Sequence, residues 1–162
     1  MKRLSSYKIS KFTALAAAAF LCFPLANAQS PVLPPQKRQP TPEKVLAEHI
    51  AAMNSCDWNR AIAQYAADAE FMMPGGAVVK GRKAVGDLIG NFLKPRAQGG
   101  WCGLKLVPEQ TVVIGDTVNM VWRMEAPFLA EPYRGSEAYE TRNGLMALQV
   151  TTFDTAAMKL KP

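Results

Sequence analysis

The order of the sequence patterns predicts an α+β domain in which helices cover one face of a curved sheet. Apolar residues recur at helical spacing in the first half of the domain. Alternating runs rich in β-branched residues dominate the second half. The turn signals Gly115-Asp116 and Asn143-Gly144 separate these runs and indicate hairpins of antiparallel strands. Helices followed by a series of antiparallel strands are typical of the α+β class.

Three helices are predicted, each from its start signal and its apolar stripe. The first covers 42–54, with Thr41 as N-cap and Pro42 at the first helical position. Asp57 caps a short second helix. The third covers 82–93, where apolar residues recur at the spacing of one helix face.

Strands are predicted from alternation, β-branched content and flanking turn residues. A first strand is stopped by Pro74-Gly75-Gly76, and a brief pair of valines follows it. The predicted strands are 69–73, 78–79, 104–114, 117–126, 133–141 and 145–153.

Residues 1–28 are predicted to form a secretory signal peptide. Four cations precede an apolar run over 12–23, and Ala26-Asn27-Ala28 matches a cleavage site before Gln29. The apolar run is shorter than the roughly 20 residues of a membrane-spanning helix, so a permanent anchor is the weaker alternative. We therefore expect a periplasmic or secreted protein that has no membrane partner after cleavage.

Residues 29–41 contain four prolines and are predicted to be an extended, disordered leader. The folded domain is then expected over 42–162, which is long enough to bury one sizeable core.

The charge of the mature chain argues against a nucleic-acid partner. The whole chain carries a net charge of +6, but without the signal peptide 15 basic and 13 acidic residues remain. The single histidine, His49, and the absence of a Cys-x-x-Cys motif predict no metal site. No sequence motif for a cofactor is present either, so none is expected.

Two cysteines remain after cleavage, Cys56 and Cys102. In an oxidising compartment two thiols in one small domain often pair, whereas buried free thiols are the alternative. The spacing does not give the distance between them, but export and the even count favour a disulfide.

Several motifs together resemble the SnoaL-like branch of the NTF2-like superfamily, over about residues 42–155. They are Ala-Ala-Met-Asn-Ser-Cys-Asp-Trp (51–58), Tyr-Ala-Ala-Asp-Ala-Glu-Phe (65–71), Pro-Gly-Gly (74–76) and Lys-Gly-Arg-Lys-Ala-Val (80–85). The resemblance implies a cone-shaped barrel, with three N-terminal helices packed on a strongly curved antiparallel sheet and a pocket at one end. Members include isomerases, dehydratases and polyketide cyclases, so the fold alone does not give the function.

The residues that carry chemistry in ketosteroid isomerase-like members are not retained here. The resemblance places His49 where those enzymes hold the oxyanion with a tyrosine. Met73 falls on the proton-shuttling aspartate, and Ala138 falls near the protonated acid. A thioether and a methyl group do not transfer protons, so the isomerase mechanism is not implied for this chain.

The strand over 117–126 has two faces, and two arguments orient it differently. Hydrophobic patterning alone places Met120, Trp122 and Met124 against the helices. The resemblance instead points Arg123 and Glu125 into the cone and leaves the apolar stripe on the outer face. We prefer the second orientation, in which the stripe is expected to form a homodimer.

That orientation also turns Glu140 inward and completes the predicted ligand site. Its residues are His49, Phe71, Met73, Arg123, Glu125 and Glu140. His49 is either a ligand-facing group or a packed histidine with a local partner.

The first functional hypothesis is an exported protein that binds a small hydrophobic molecule, with catalysis not established. The alternative is an isomerase, dehydratase or cyclase acting on a steroid- or polyketide-like substrate, with His49 working beside Glu125 or Glu140. A structural dimeric module is the weakest of the three.

Overall fold

Three helices pack against one side of a six-stranded sheet in the computed structural model, which describes residues 32–162. The predicted signal peptide over 1–28 lies outside the described residues. The helices are α1 (Pro42–Asn54), α2 (Trp58–Ala63) and α3 (Arg82–Phe92). The strands are β1 (Tyr65–Met72), β2 (Val78–Lys80), β3 (Lys105–Ile114), β4 (Thr117–Glu125), β5 (Tyr133–Arg142) and β6 (Leu145–Thr151). None of the helices within 32–162 is both long enough and apolar enough to cross a membrane.

The helix starts follow the predicted signals. The Thr41 side chain accepts a hydrogen bond from the Lys44 backbone N–H at the start of α1. The Asp57 carboxylate accepts one from Arg60 N–H at 3.0 Å at the start of α2. Each cap satisfies a backbone donor that the first helical turn leaves free.

The sheet has the strand order β2-β1-β6-β5-β4-β3. The predicted α+β fold, with three helices packed on one sheet, is confirmed, with two differences in detail. The sheet is mixed, because β1 and β6 run parallel while the other neighbours run antiparallel. It is also open, with β2 and β3 as its edges, so it does not close into a barrel. Turn signals report only strands that a hairpin joins, and no hairpin joins β1 to β6.

The orientation preferred for β4 is wrong. Val118, Met120 and Trp122 are fully buried and Met124 is nearly so, which places the apolar stripe in the core between sheet and helices. Burying each of these side chains contributes roughly 1.5–3 kcal/mol, which outweighs any gain from turning Arg123 inward. The apolar stripe is therefore not an exposed dimer surface. The homodimer remains a prediction, but this stripe does not support it.

The disulfide is confirmed. Cys56 and Cys102 are bonded, with their Cα atoms 5.7 Å apart, and the bond joins the turn after α1 to the loop before β3. Asn54 supports the same junction, because its side chain donates to Leu106 O at 3.0 Å and accepts from Leu106 N–H at 2.7 Å.

The described part of the predicted disordered leader, residues 32–41, is bound along the domain. Lys37 N–H donates to Ala63 O at 2.8 Å, and Gln39 N–H donates to Gly144 O at 2.9 Å. The Gln36 side-chain amide donates to Tyr65 O at 2.9 Å. Proline lacks a backbone donor, but the residues between the prolines keep theirs, and they use them here.

Candidate functional site

A cavity of about 410 Å³ lies between the helices and the inner face of the sheet. Its walls are mainly apolar, and aromatic rings form a large part of them. The apolar lining comprises Met53, Phe71, Met73, Pro74, Leu88, Ile89, Phe92, Trp101, Leu106, Met124 and Phe153. Four buried polar side chains also line it, His49, Glu137, Gln149 and Thr151.

Strand register brings most of these polar groups together. Met120 on β4 lies opposite Glu137 on β5, which lies opposite Thr151 on β6. One step along, Tyr139 on β5 lies opposite Gln149 on β6. Directly opposed residues share a sheet face, so the residues paired with the buried side chains of β4 lie on the same face, which the helices cover. With His49 of α1 and Tyr65 of β1 they form a buried polar cluster, defined here as His49, Tyr65, Glu137, Tyr139, Gln149 and Thr151.

Glu137 is the centre of the hydrogen bonds in this cluster. Thr151 Oγ1 donates to its Oε1 at 2.8 Å, and Tyr139 Oη donates to its Oε2. Burial raises the pKa of Glu137 to about 7, while hydrogen bonds from Thr151 and Gln149 act in the opposite direction. The carboxyl group therefore exchanges a proton near neutral pH.

His49 lies beside the rings of two tyrosines of the cluster. Its ring centroid is 5.9 Å from that of Tyr65 and 5.7 Å from that of Tyr139. Only 2% of the residue is exposed, and its Nδ1 has no hydrogen-bond partner within 32–162. Burial lowers the pKa of His49 to about 4, so the imidazole is neutral at pH 7. His49 therefore borders the cavity with a neutral ring that has one nitrogen without a partner among the described residues.

Aromatic contacts fix the outer walls of the cavity. Phe92 and Phe153 pack edge to face with ring centroids 5.3 Å apart. The Arg96 guanidinium lies 4.4 Å from the ring centroid of Trp101 and 5.3 Å from that of Phe128. These contacts hold Phe92, Phe153 and Trp101 as a rigid apolar surface.

The structure brings together half of the predicted site. His49, Phe71 and Met73 line the cavity. Arg123, Glu125 and Glu140 do not, and their predicted inward orientation is wrong. Glu140 is exposed, and Arg123 is engaged on the outer face of the sheet by Glu125 at 2.6 Å and by Glu109 at 3.0 Å. Such exposed ion pairs contribute little to stability.

The buried polar residues of the cavity that the sequence did not reveal are Glu137, Gln149 and Thr151. The apolar stripe of β4 was the signal for these residues. Once the stripe is placed in the core, strand pairing determines which side chains of the neighbouring strands also point towards the core. Within the described ranges, no three His, Cys, Asp or Glu side chains are grouped closely enough to hold a metal ion.

The sequence matches a family model for the SnoaL-like domain over residues 46–149. The chain belongs to the SnoaL-like family. No curated protein matches it in a sequence comparison.

Several solved structures share the fold of this chain. Rv0760c from Mycobacterium tuberculosis superposes with a TM-score of 0.59 at 18% identity, covering 74% of this chain and 99% of that one. A putative polyketide cyclase from Sinorhizobium meliloti gives 0.54 at 18% identity, with coverages of 67% and 94%. TerC, co-crystallised with polyporic acid, gives 0.56 at 18% identity, with coverages of 72% and 93%. At these identities the likeness shows the fold alone.

The resemblance places the protonated acid of ketosteroid isomerase-like members near Ala138, which is apolar, but the adjacent residue Glu137 carries a carboxyl group. Glu137 points into the cluster, and Ala138 is half-buried on the opposite side of β5. A displacement of one residue along a strand exchanges its two faces. The cavity thus contains two groups able to hold or release a proton, His49 and Glu137, while Met73 offers only a thioether.

Proposed function

We propose that this SnoaL-like protein is exported and binds a small hydrophobic molecule in its cavity. The observation that supports this most directly is a mainly apolar cavity whose lining includes His49, a buried residue with an unpartnered ring nitrogen. Small-molecule sites typically combine such walls with a few placed polar groups.

The size of the cavity supports a ligand of a few rings. Its volume of about 410 Å³ lies in the range of roughly 300–1,000 Å³ that is usual for small-molecule sites. The apolar walls favour a hydrophobic body, and His49 offers one hydrogen bond that orients it.

The proposal of export rests on the cations, apolar run and small residues of 1–28. A disulfide between Cys56 and Cys102 is compatible with a periplasmic or secreted location, since such bonds persist in oxidising compartments.

The second candidate is an isomerase, dehydratase or cyclase that uses His49 with a carboxylate. One observation favours it, namely that Glu137 lines the same cavity as His49 and has a pKa of about 7. An acid or base works best when its pKa lies near the working pH. Glu137 takes the place of Glu125 and Glu140 in this proposal, because both of those lie on the outer face.

Thermal unfolding of the chain starting at Gln29 tests the binding function. The panel comprises steroids, polyketide-like aromatics and terpenoids, and a ligand at one hundred times its dissociation constant adds about 2.7 kcal/mol to the free energy of unfolding. If neither this panel nor any other small hydrophobic probe raises the unfolding temperature, the proposal is wrong.

His49→Phe then tests the site, because it fills a similar volume without the ring nitrogens. We expect it to fold and to lose about 1–3 kcal/mol of binding free energy. Glu140→Gln, on the outer face, is the matched control and should bind as the wild type does. Equal binding by His49→Phe would mean that His49 only packs. For the enzyme candidate, product formation should require Glu137 and disappear in Glu137→Gln.

A further inference from the structure

We propose that the cavity selects ligands that carry a basic nitrogen, so that its preferred occupant is a hydrophobic amine whose ammonium group pairs with Glu137. The inference rests on the proposed binding function and names the class of ligand.

The charges that line the cavity have one sign. Among the described lining residues, Glu137 and Asp154 are acidic and none is Lys or Arg. Arg96, the cation that lies over Trp101, is exposed and does not line the cavity. A ligand carboxylate in the cavity would meet like charge, whereas an ammonium group would meet opposite charge.

The hydroxyl groups of the cluster donate their hydrogens to other members of the cluster. Tyr139 and Thr151 donate to Glu137, and Tyr65 donates to Gln149. The Gln149 side chain also hydrogen-bonds Glu137. This arrangement supports a negative charge on Glu137 and leaves mainly acceptors for a ligand. A ligand that brings N–H donors complements it.

Glu137 is a buried carboxyl group without a cationic partner in the protein. Only 6% of the residue is exposed, and the described residues form no ion pair with it. Buried carboxylates are normally paired with a cation, because the desolvation of an isolated charge is costly. An ammonium group held at the cavity wall would supply that cation.

The remaining walls suit the same ligand. Buried His49 is neutral at pH 7 and therefore has a ring lone pair that accepts an N–H bond. Phe71, Phe92, Trp101 and Phe153 present aromatic rings, whose faces attract cations.

Affinity for an amine should depend on pH through Glu137. The polar groups that surround it from each packed element are His49 of α1, Tyr65 of β1, Tyr139 of β5, and Gln149 and Thr151 of β6. Burial lowers the pKa of His49 to about 4 and raises that of Tyr65 well above 10, so neither changes charge between pH 6 and 8. With a pKa of about 7, Glu137 is mostly ionised only above neutrality. Affinity should therefore rise about tenfold from pH 6 to pH 8, following the ionised fraction.

Calorimetric titration of the chain from Gln29 with three matched probes tests the inference. The probes are 2-(1-naphthyl)ethylamine, 2-(1-naphthyl)ethanol and 1-naphthylacetic acid, which share one aromatic body. At pH 8 we expect the amine to bind at least tenfold more tightly than the alcohol, and the acid to bind most weakly. The alcohol should show no gain in affinity between pH 6 and 8.

Glu137→Gln should abolish both the preference for the amine and its pH dependence, while Glu140→Gln on the outer face of the same strand should keep both. If Glu137→Gln does not fold, the pH profile of the wild type decides alone. An alcohol that binds as tightly as the amine overturns the inference and leaves the binding function standing. If neither the probes nor the panel binds, both proposals are wrong.

Discussion

The indole of Trp122 occupies the space that a side chain at position 135 would need. Gly135 lies directly opposite Trp122 across the β4–β5 pair. A Cβ built on Gly135 would lie 2.5 Å from Trp122 Cη2, far inside van der Waals contact. Trp122 is fully buried and also packs on Tyr133 and Phe153, so the ring has little freedom to move.

Gly135→Ala should therefore lower the free energy of unfolding by about 1–3 kcal/mol, the usual cost of overpacking a core. Urea unfolding measures the change. Ser136→Ala, the next residue on the opposite face, is the control and should stay within about 0.5 kcal/mol of the wild type. Equal stability of Gly135→Ala and the control would show that the indole can move aside.

Trp122→Ala should destabilise the fold rather than change its oligomeric state. Truncating a buried tryptophan typically costs about 3–5 kcal/mol. Thermal unfolding and a sizing column separate the two effects. A variant of unchanged stability that runs smaller than the wild type would instead place Trp122 at a subunit interface.

Reduction of the disulfide should lower the free energy of unfolding by roughly 3–4 kcal/mol on the chain-entropy model. The reason is that Cys56 and Cys102 are 46 residues apart in sequence, so their bond restricts a long loop of the unfolded chain. Alkylation of the unfolded protein checks the bond itself. Two labels should be gained at these positions only after reductant is added, and labelling without reductant contradicts the bond.

The free energy of unfolding should depend on pH in opposite ways through the two buried titratable groups of the cavity, His49 and Glu137. The pKa of His49 is about 4 in the folded protein, below its ordinary value of 6.5, so the unfolded chain takes up the proton first. Stability from this group is lost as pH falls from about 6.5 to 4. The pKa of Glu137 is raised from 4.5 to about 7, so the folded protein takes up its proton first. Stability from this group is lost as pH rises from about 4.5 to 7.

Single variants separate the two contributions. When the pH is lowered from 7.5 to 5, the free energy of unfolding of His49→Phe should rise by about 2 kcal/mol relative to that of the wild type. The free energy of unfolding of Glu137→Gln should fall by about 2 kcal/mol relative to that of the wild type. Urea unfolding of each protein at both pH values gives these differences, and the remaining carboxylates cancel because all three proteins share them. Differences of the same sign in both variants would contradict the assigned pKa directions.

Local features of the fold could be predicted from the sequence because local chemistry determines them. Thr41 and Asp57 mark helix starts through caps that act within three residues. Asn143 and Gly144 both have positive φ, 53° and 73°, as the predicted hairpin turn requires. The helix over 42–54 and the hairpins β3–β4 and β5–β6 consequently agree with the structure.

Non-local features could not be predicted in the same way. Which face of β4 is buried depends on packing against helices that are far away in sequence. The predicted orientation was the reverse of the observed one because Arg123 and Glu125 were expected in the cavity. Glu137 was missed for that reason, since its face follows from its pairing with Met120. The binding of residues 32–41 to the domain also depends on distant acceptors, such as the carbonyl of Gly144.

The parallel pairing of β1 with β6 has a consequence for the order of folding. Tyr65 is paired with Met146, and β6 separates β1 from the hairpins formed by β3, β4 and β5. During synthesis, α1, α2 and α3 have emerged while β1 is paired only with the short strand β2 and still lacks β6. The sheet becomes continuous only when β6 is available, and contacts of such long sequence separation form slowly. A chain built in this way remains without its completed core until β6 has paired with β1.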